Sequence, residues 1–374
     1  MKYLTQSENQ LIAIDMRFVF ALALVLLTAC KYDTPNRSNL FLEIFLYSAP
    51  WMAVATGTNC TGWTSVDAKT WQSFQFPGCT TGTIASVAFG ADKFVAVGST
   101  DGTTCATWTG TGVYSLEWTR NTCGPTALRM TAVAFGSGSA GQEFVAAGMP
   151  SSATTFASIS SQDGITWSDA TITDAGGAGA PVQSIVFWPT GQQFIESQQT
   201  NQNTQRRSIG AGTTWIAGNA TGVTPPKLLT GPTSSNGTMR LYNWGNSPSV
   251  VQYDDAGYAS GYTNLSPNVF SAAIPVVNDG VHGEGKRTVF VRDSCGVTYL
   301  TSASGADTSG AYTMSGCTTA NIKAIGYIDP YFIAGSDDGS FYYSVSGLPS
   351  EWTRATSSGS SSVTQKIAGR PGVL

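Results

Sequence analysis

Residues 87–120 read VAFGADKFVAVGSTDGTTCATWTGTGVYSLEWTR. Two apolar runs, Val87–Phe89 and Phe94–Val97, stand close together, and an Asp-Gly pair follows at Asp101. Asp-Gly between apolar runs is typical of a tight hairpin, because both residues tolerate positive φ. A further run ends at the tetrapeptide EWTR, Glu117–Arg120. This order predicts a meander of four antiparallel strands whose outer strand ends near Trp118.

The same unit recurs along the chain. EWTR returns at Glu351–Arg354, and paired apolar runs precede Trp167 and Trp352 as they precede Trp118. Aromatic markers in this register stand at positions 71, 118, 167, 215, 262, 312 and 352, with Tyr at 262 and 312 and Trp at the others. Four-stranded units with a period of about 40–50 residues are typical of a β-propeller. The predicted fold is therefore all-β, a seven-bladed β-propeller of four-stranded antiparallel blades.

A propeller of seven units has to close into a ring. No full unit follows Trp352, so we expect a strand at Ile367–Gly369 to complete the first blade, whose own part starts near Trp51–Val54. A strand shared by both ends of the chain would lock the ring. Ile44–Leu46 is a competing candidate that would supply the same strand from the N-terminal side.

Composition and charge exclude several function classes. Only 11% of the 374 residues are charged, and the formal net charge is −4. No basic stripe is therefore available to neutralise phosphates, which argues against a nucleic-acid partner. The chain has one His and no C-x-x-C pair, which argues against a metal site. We expect no metal, no cofactor and no nucleic acid.

The N-terminal region has the features of an export signal. Arg17 precedes ten apolar residues, Phe18–Leu27, a run too short to span a bilayer, and Thr28-Ala29-Cys30 follows. Leu27–Cys30 (LTAC) resembles the lipobox of bacterial lipoproteins, which implies cleavage before Cys30 and acylation of that residue. Lys31 stands where this family often has a retaining Asp, which implies the outer membrane. A plain secretory signal with an accidental Cys is the alternative.

These features divide the chain. Residues 1–15 carry Glu8 and Asp15, which do not suit a signal peptide, so we expect translation to start at Met16. Residues 16–29 are the predicted signal peptide, 30–49 the lipidated Cys with a tether or an added strand, and 50–374 the propeller. The predicted location is the outer membrane or cell surface, with the periplasmic face as an alternative, and the predicted protein is a monomer.

Two segments before aromatic markers resemble the Asp-box of sialidase-like propellers. Residues 161–167 read SQDGITW, and residues 65–71 read SVDAKTW, which lacks the Gly. The resemblance implies a structural turn in which Asp accepts backbone N–H bonds and Trp packs between blades, on the rim away from the binding face. The residues concerned are Ser65, Asp67, Trp71, Ser161, Asp163, Gly164 and Trp167. A catalytic role for either Asp is disfavoured, because a turn carboxylate normally bonds its own backbone.

Six further cysteines can pair in fifteen ways, and the repeat selects one of them. One Cys of each pair opens the third strand of a blade, and the other follows the fourth strand, so that the two meet within a blade. The predicted pairs are Cys60–Cys79, Cys105–Cys123 and Cys295–Cys317. An exported protein lies where such bonds persist.

No catalytic constellation is recognisable in the sequence. His282 stands alone among glycines and is predicted to be a solvated loop residue, and Arg206-Arg207 is predicted to lie on a solvated turn. The arginine cluster of sialidases has no clear counterpart, since blades 5 and 6 offer Arg240, Arg287 and Arg292. We therefore expect a non-catalytic module that binds a protein or glycan, as an adhesin or assembly scaffold. The alternative is a glycoside hydrolase with divergent motifs, since propellers host both classes.

Two polar inserts are predicted to form binding loops. They are Gln198–Arg207 and Asn278–Lys286.

Overall fold

The computed structural model describes residues 53–112, 116–123, 127–138, 141–151, 157–172, 181–189, 191–198, 204–209, 214–220, 227–232, 239–246, 249–254, 263–264, 277–283, 287–300 and 312–370. Statements below concern these residues. Cys30, the signal peptide, the tether and residues 39–49 lie outside them. No helix in the described part is both long and apolar enough to cross a membrane.

The regular secondary structure of the described residues consists of β-strands, apart from one turn of 3-10 helix at Pro349–Glu351. The strands of the first half are β1 (Ala53–Gly57), β2 (Thr61–Ser65), β3 (Thr70–Gln75), β4 (Ile84–Gly90), β5 (Lys93–Ser99), β6 (Cys105–Thr111), β7 (Glu117–Thr122), β8 (Ala127–Gly138), β9 (Gly141–Pro150), β10 (Ser158–Ser161), β11 (Ser168–Asp169), β12 (Thr171–Ile172), β13 (Val182–Trp188), β14 (Gln193–Gln198), β15 (Thr204–Ile209) and β16 (Thr214–Ala220). Those of the second half are β17 (Lys227–Pro232), β18 (Met239–Asn246), β19 (Ser249–Asp254), β20 (Thr263–Asn264), β21 (Val277–His282), β22 (Thr288–Arg292), β23 (Gly296–Leu300), β24 (Tyr312–Thr313), β25 (Ile322–Ile328), β26 (Tyr331–Ser336), β27 (Phe341–Ser344), β28 (Thr353–Arg354), β29 (Thr356–Ser358) and β30 (Thr364–Gly369).

The strands assemble into seven sheets, one for each predicted blade. Five of them are four-stranded antiparallel meanders in chain order, β4–β7, β8–β11, β17–β20, β21–β24 and β25–β28. Blade 1 has the order β29-β3-β2-β1-β30, and blade 4 has the order β12-β16-β15-β14-β13. The predicted all-β, seven-bladed architecture is confirmed.

Two blades have a fifth strand that the repeat did not predict. β12 pairs in parallel with β16, and β29 pairs in parallel with β3. Each is the segment that leaves the outer strand of one blade, and it adds to the outer edge of the next. These short strands therefore join neighbouring blades at the periphery.

The C-terminal strand closes the ring. β30 pairs antiparallel with β1, with Ala53 opposite Gly369 and Ala55 opposite Ile367. β30 is thus the innermost strand of blade 1, which confirms the predicted closure by Ile367–Gly369. The competing segment at 44–46 lies outside the described residues.

The aromatic markers begin the outer strands rather than ending them. Trp71, Trp118 and Trp215 are each the second residue of the outer strand, and Trp352 directly precedes β28. The register of the repeat was right, but the prediction that EWTR ends an outer strand was wrong. Position 262 lies outside the described residues.

Large aromatic side chains pack in the spaces between blades. The Trp71 ring of blade 1 stacks on Phe341 of blade 7, with centroids 4.1 Å apart and planes at 8°. The Trp118 ring of blade 2 meets Phe76 of blade 1 at 4.7 Å. Burying a large apolar side chain contributes about 1.5–3 kcal/mol, so these contacts hold adjacent blades face to face.

Candidate functional site: the central channel

Seven inner strands surround a central cavity. They are β30, β4, β8, β13, β17, β21 and β25, and each lies at one edge of its sheet. Each contacts the inner strand of the next blade around the ring, and β25 contacts β30. The cavity has a volume of about 800 Å³ and is lined by residues from all seven blades. A concave site of this size is large enough for a small molecule or a short peptide segment.

The same position lines the cavity in six of the seven blades. In six inner strands a β-bulge interrupts the pairing near the strand start, and a bulge re-aims the extra residue. The bulged residues are Ala85, Thr131, Gln183, Asn278, Lys323 and Gln365, and all six line the cavity. Lys227, the first residue of β17, lines it as well.

In three blades, the residue directly after the bulge links its inner strand to the inner strand of the following blade. An edge strand leaves backbone N–H groups without a strand partner. Side chains of the preceding blade accept three of these N–H bonds: Ser86 Oγ from Val133, Ser184 Oγ from Leu228, and an Asp279 carboxylate oxygen from Ile325, at 3.3, 3.3 and 3.1 Å. At the start of the channel, these hydrogen bonds join blade 2 to blade 3, blade 4 to blade 5 and blade 6 to blade 7.

Three lysines of different blades meet near the channel start, and we call Lys227, Lys323 and Lys366 the lysine layer. Lys366 Nζ contacts both carboxylate oxygens of Asp279, at 2.9 and 3.0 Å. Lys323 Nζ contacts Asp293 Oδ1 at 2.6 Å. Burial alone would raise the pKa of Asp293, but hydrogen bonds from Lys323 and Asn278 outweigh it and lower that pKa. Asp279 and Asp293 are thus fully engaged with two of the three ammonium groups.

Lys227 differs from the other two lysines. Its side chain is half-buried, and its Nζ donates to the backbone carbonyl of Asn278. Burial lowers the pKa of Lys227; Asp279 acts in the opposite direction, while Lys366 and Lys323 lower it further. Within the described part of the chain, no carboxylate lies within ion-pair distance of its ammonium. Among the described residues, the lysine layer therefore has one cation that no carboxylate contacts directly.

Arg129 of β8 adds a further cation to the lining, besides the three lysines. Its side chain is exposed. Among the described lining residues, Asp279 is the one carboxylate, and neither Tyr nor Glu is present. The lining also contains apolar side chains, including Leu228, Val281 and Trp244. The cavity is therefore cationic and partly apolar.

His282 was predicted to be a solvated loop residue, and that prediction was wrong. His282 is the last residue of β21, lines the cavity, and lies 3.0 Å through Nδ1 from Thr288 Oγ1. Burial lowers its pKa to about 4. It is therefore a neutral imidazole at pH 7.

Arg206 and Arg207 were predicted to lie on a solvated turn, which was also wrong. Both belong to β15, and the Arg206 side chain is buried, 3.8 Å from Glu196 Oε1. Glu196 and Arg206 are opposite each other in the strand register, so the buried guanidinium lies beside a buried carboxylate of opposite charge. Of the two predicted binding loops, Gln198 and residues 204–207 are strand, and Asn278–His282 is the inner strand β21. Residues 199–203 and 284–286 lie outside the described part.

Of the arginines in blades 5 and 6, Arg287 and Arg292 have described side chains. Arg287 lies over the Tyr299 ring at 5.0 Å, and Arg292 Nη2 donates to the Tyr312 carbonyl at 3.4 Å. Neither of these two side chains lines the channel. The described part of the chain contains no group of three or more His, Cys, Asp or Glu side chains that could hold a metal ion.

The two segments that resemble an Asp-box form tight turns between the third and fourth strands of blades 1 and 3. Asp163 Oδ1 accepts the backbone N–H bonds of Ile165 and Thr166, both at 2.8 Å. Asp67 Oδ1 accepts those of Lys69 and Thr70, at 2.8 and 2.7 Å. Burial would raise the pKa of Asp163, but these hydrogen bonds outweigh it and lower the pKa to about 2.

The remaining members of the two segments complete the turns. Ser161 Oγ accepts the Gly164 N–H at 2.8 Å, and Gly164 has a φ of 72°. Ala68 stands in the place of this glycine in the other segment and has a φ of 58°. Trp167 packs against an apolar cluster that contains Val95 and Phe144, of blades 2 and 3.

The Asp67 and Asp163 turns and the lysine layer lie at opposite ends of the strands. In an antiparallel meander, the turns between strands two and three share one end with the connections to the next blade. The lysine layer and Asp293 lie at this end, which we call the mouth. The Asp67 and Asp163 turns lie at the opposite end, so neither carboxylate reaches the lysine layer.

Three disulfides lie at the mouth, and they are the three predicted pairs. Cys60–Cys79, Cys105–Cys123 and Cys295–Cys317 have Cα–Cα separations of 5.6, 5.8 and 5.7 Å. Each joins the start of a third strand to the segment after the fourth. Three blades therefore have their mouth connections covalently fixed.

Comparison with known proteins gives a fold likeness. No protein-family model matches the chain, and no curated protein matches it. Among solved structures it is similar to "YCF48 bound to D1 peptide", with a TM-score of 0.54 and 14% sequence identity. The match covers 82% of this chain and 84% of that one. At this identity the likeness shows the fold alone, and that fold is a β-propeller.

Proposed function

We propose that this chain is a lipid-anchored binding module that holds a protein partner at the mouth of its central channel and carries out no reaction. The observation that carries the proposal is the cationic channel itself. Its lining converges from seven blades, and one ammonium group there has no counter-charge among the described residues. Convergent charged groups in a cavity are the usual sign of a ligand site.

The mouth is built to present a fixed surface. Three disulfides tie its connections, and side chains such as Ser86 and Asp279 hold adjacent inner strands together. Binding to a preorganised surface loses less conformational entropy than binding to mobile loops. The likeness to a propeller whose structure contains a bound peptide supports a protein partner.

The lining supports binding rather than hydrolysis. Glycoside hydrolysis generally needs two carboxyl groups that flank the scissile bond. The described lining offers Asp279 alone, and both of its oxygens are occupied by Lys366 and the Ile325 N–H. His282, with its lowered pKa, is a poor general base in this position because its ring is desolvated and bonded to Thr288.

The proposed site of action is outside the cytoplasm. The Leu27–Cys30 string motivates a lipid anchor, and the three disulfides fit an oxidising compartment. The proposed location is the outer membrane or cell surface, with the chain a monomer acting as an adhesin or an assembly scaffold. Cys30→Ser should release the protein from membranes into the aqueous phase of a detergent partition.

The test is surface proteolysis followed by affinity capture. Protease added to intact cells should remove the propeller, and the purified chain should then retain a specific protein from the envelope fraction, identified by mass spectrometry. A chain boiled and reduced beforehand is the control, since it lacks the folded mouth. Turnover of a sialoside or another glycoside by the pure protein, lost in Asp279→Asn, would contradict the proposal and establish the hydrolase.

A further inference from the structure

In the lysine layer, the described ammonium groups outnumber the carboxylates that contact them. Asp279 binds Lys366 through both oxygens, and Asp293 binds Lys323 and also accepts from Asn278 Nδ2 at 2.7 Å. Among the described residues, three ammonium groups therefore face two carboxylates, and the Lys227 ammonium donates to a backbone carbonyl instead. A half-buried cation without a counter-charge is costly, because burial removes water that would solvate it.

Arg129 reinforces the imbalance from another blade. It lines the same cavity, and no described carboxylate lies within ion-pair distance of it. An ionised carboxylate entering the mouth would face a lining that contains both groups. Charge-assisted hydrogen bonds of this kind are about twice as strong as neutral ones.

We propose that the mouth of the channel binds a carboxylate of an acidic peptide segment, with Lys227 as its ion-pair partner and Arg129 as a second cation. This inference rests on the proposed function in that the partner is a protein, and it adds the chemical class of the segment that enters. Lys323 and Lys366 hold the carboxylates of blade 6 in place, which leaves Lys227 available.

A peptide fits the lining better than a sugar acid does. The inner strands lie at sheet edges, and such edges offer N–H and C=O groups to an extended backbone. Apolar side chains, among them Leu228 and Val281, lie within the same cavity and suit the neighbours of an acidic residue. A sugar acid would also use the ammonium group, and its hydroxyls could bond single backbone groups, but it has no extended backbone that could pair along a strand edge.

Fluorescence anisotropy with labelled peptides tests the inference on the full chain. One heptapeptide alternates Glu with Val, and its partner has Gln in place of each Glu. The acidic peptide should bind with an affinity that falls as salt rises, because salt screens charge pairs. Lys227→Met should weaken binding about tenfold or more, Arg129→Met should weaken it as well, and Lys227→Arg should retain most of it.

Lys69→Met is the matched control. Lys69 is an exposed lysine in the Asp67 turn at the opposite end of blade 1, outside the described cavity lining. Its loss should leave peptide binding unchanged. Thermal midpoints of all variants close to that of the natural chain show that the differences arise at the site.

Several results would overturn the inference. They are undiminished binding in Lys227→Met, equal affinity for the Gln peptide, and Lys227-dependent binding of glucuronate by a chain that ignores both peptides. A protein partner captured equally well by Lys227→Met would also reject this inference while the proposed function stands. Binding of the acidic peptide without capture of any envelope protein would do the reverse.

Discussion

At the scale of the residue, glycines explain why His282 was placed wrongly from sequence. Gly280 and Gly283 flank it and suggested a loop, but they make room for aromatic rings. A Cβ on Gly280 would lie 2.6 Å from the Phe290 ring, and one on Gly283 would lie 2.5 Å from Phe332. The glycines therefore permit close packing of a strand, and His282 is half-buried in it. Only coordinates distinguish these two uses of glycine.

Because His282 is the only histidine, its titration can be read from one NMR signal. The imidazole should titrate near pH 4, well below the ordinary value of about 6.5, because burial disfavours the charged ring. A folded pKa below the unfolded one means that its contribution to stability is complete above about pH 6.5 and is lost as pH falls towards 4. His282→Gln should remove that part of the pH dependence. A ring that titrates near 6.5 would show that the side chain is solvated.

The lysine layer was not predictable residue by residue. Lys227, Lys323 and Lys366 stand in three blades, far apart in the chain, and each looks like an ordinary polar residue before an apolar run. They meet because each lies within the first three residues of an inner strand. Aligning all seven units on their inner strands is the signal that could have found them.

Asp163 is predicted to contribute to stability rather than to chemistry. Asp163→Ala removes the acceptor of two backbone N–H bonds, and a lost turn cap of this kind costs about 1–2 kcal/mol. Asp163→Asn keeps an oxygen acceptor, so its loss of stability should be only a few tenths of the loss in the Ala variant. Denaturant unfolding at pH 7 measures both values. Equal stability of the Ala variant and the natural chain would refute the structural role.

At the scale of the element, the aromatic markers fixed the register of the blades but not the bounds of the outer strands. Trp side chains that pack between blades, such as Trp71 and Trp118, stand where several outer strands begin, so their spacing is visible in the sequence. The outer strands themselves are short, such as β28 with two residues, and carry too few residues for an alternating pattern. The parallel strands β12 and β29 escape prediction because they are pieces of the linkers between blades.

The disulfides should each stabilise the blade in which they lie. Replacing Cys295 and Cys317 together by Ser opens a loop closed by a sequence separation of 22 residues. In the chain-entropy model a loop of this length contributes roughly 3 kcal/mol. Unfolding in denaturant should show this loss, and non-reducing peptide mapping of the natural chain should recover the three pairs within blades. Links between cysteines of different blades would contradict the strand register.

At the scale of the whole ring, closure depends on the last described strand. Deleting residues 361–374 removes β30 and leaves β1 as an unpaired inner edge, with Ala53–Gly57 deprived of their partners. The thermal midpoint should fall sharply, because blade 1 also loses Ile367 from its apolar cluster. Deleting only residues 371–374 is the control and should change little. An unchanged midpoint after the longer deletion would mean that another segment closes the ring.

The architecture was more predictable than the site because it is repeated. Because the unit occurs seven times, a segment that is ambiguous in one copy can be aligned with clearer segments in the others. Blade number, closure and disulfide pairing therefore all follow from the register. The channel arises once, where residues of seven different blades meet, and no single unit contains it.

Site-specific photo-cross-linking tests most directly whether the channel mouth is the binding surface. A benzophenone amino acid is placed at Gln365, which lines the cavity, and in a separate variant at Val66, which is exposed at the opposite end of blade 1. On irradiation in the envelope fraction, the variant at position 365 should form a covalent adduct with a distinct protein, and the variant at 66 should not. An adduct formed from position 66 alone would contradict the account, because the partner would then bind the opposite end of the ring.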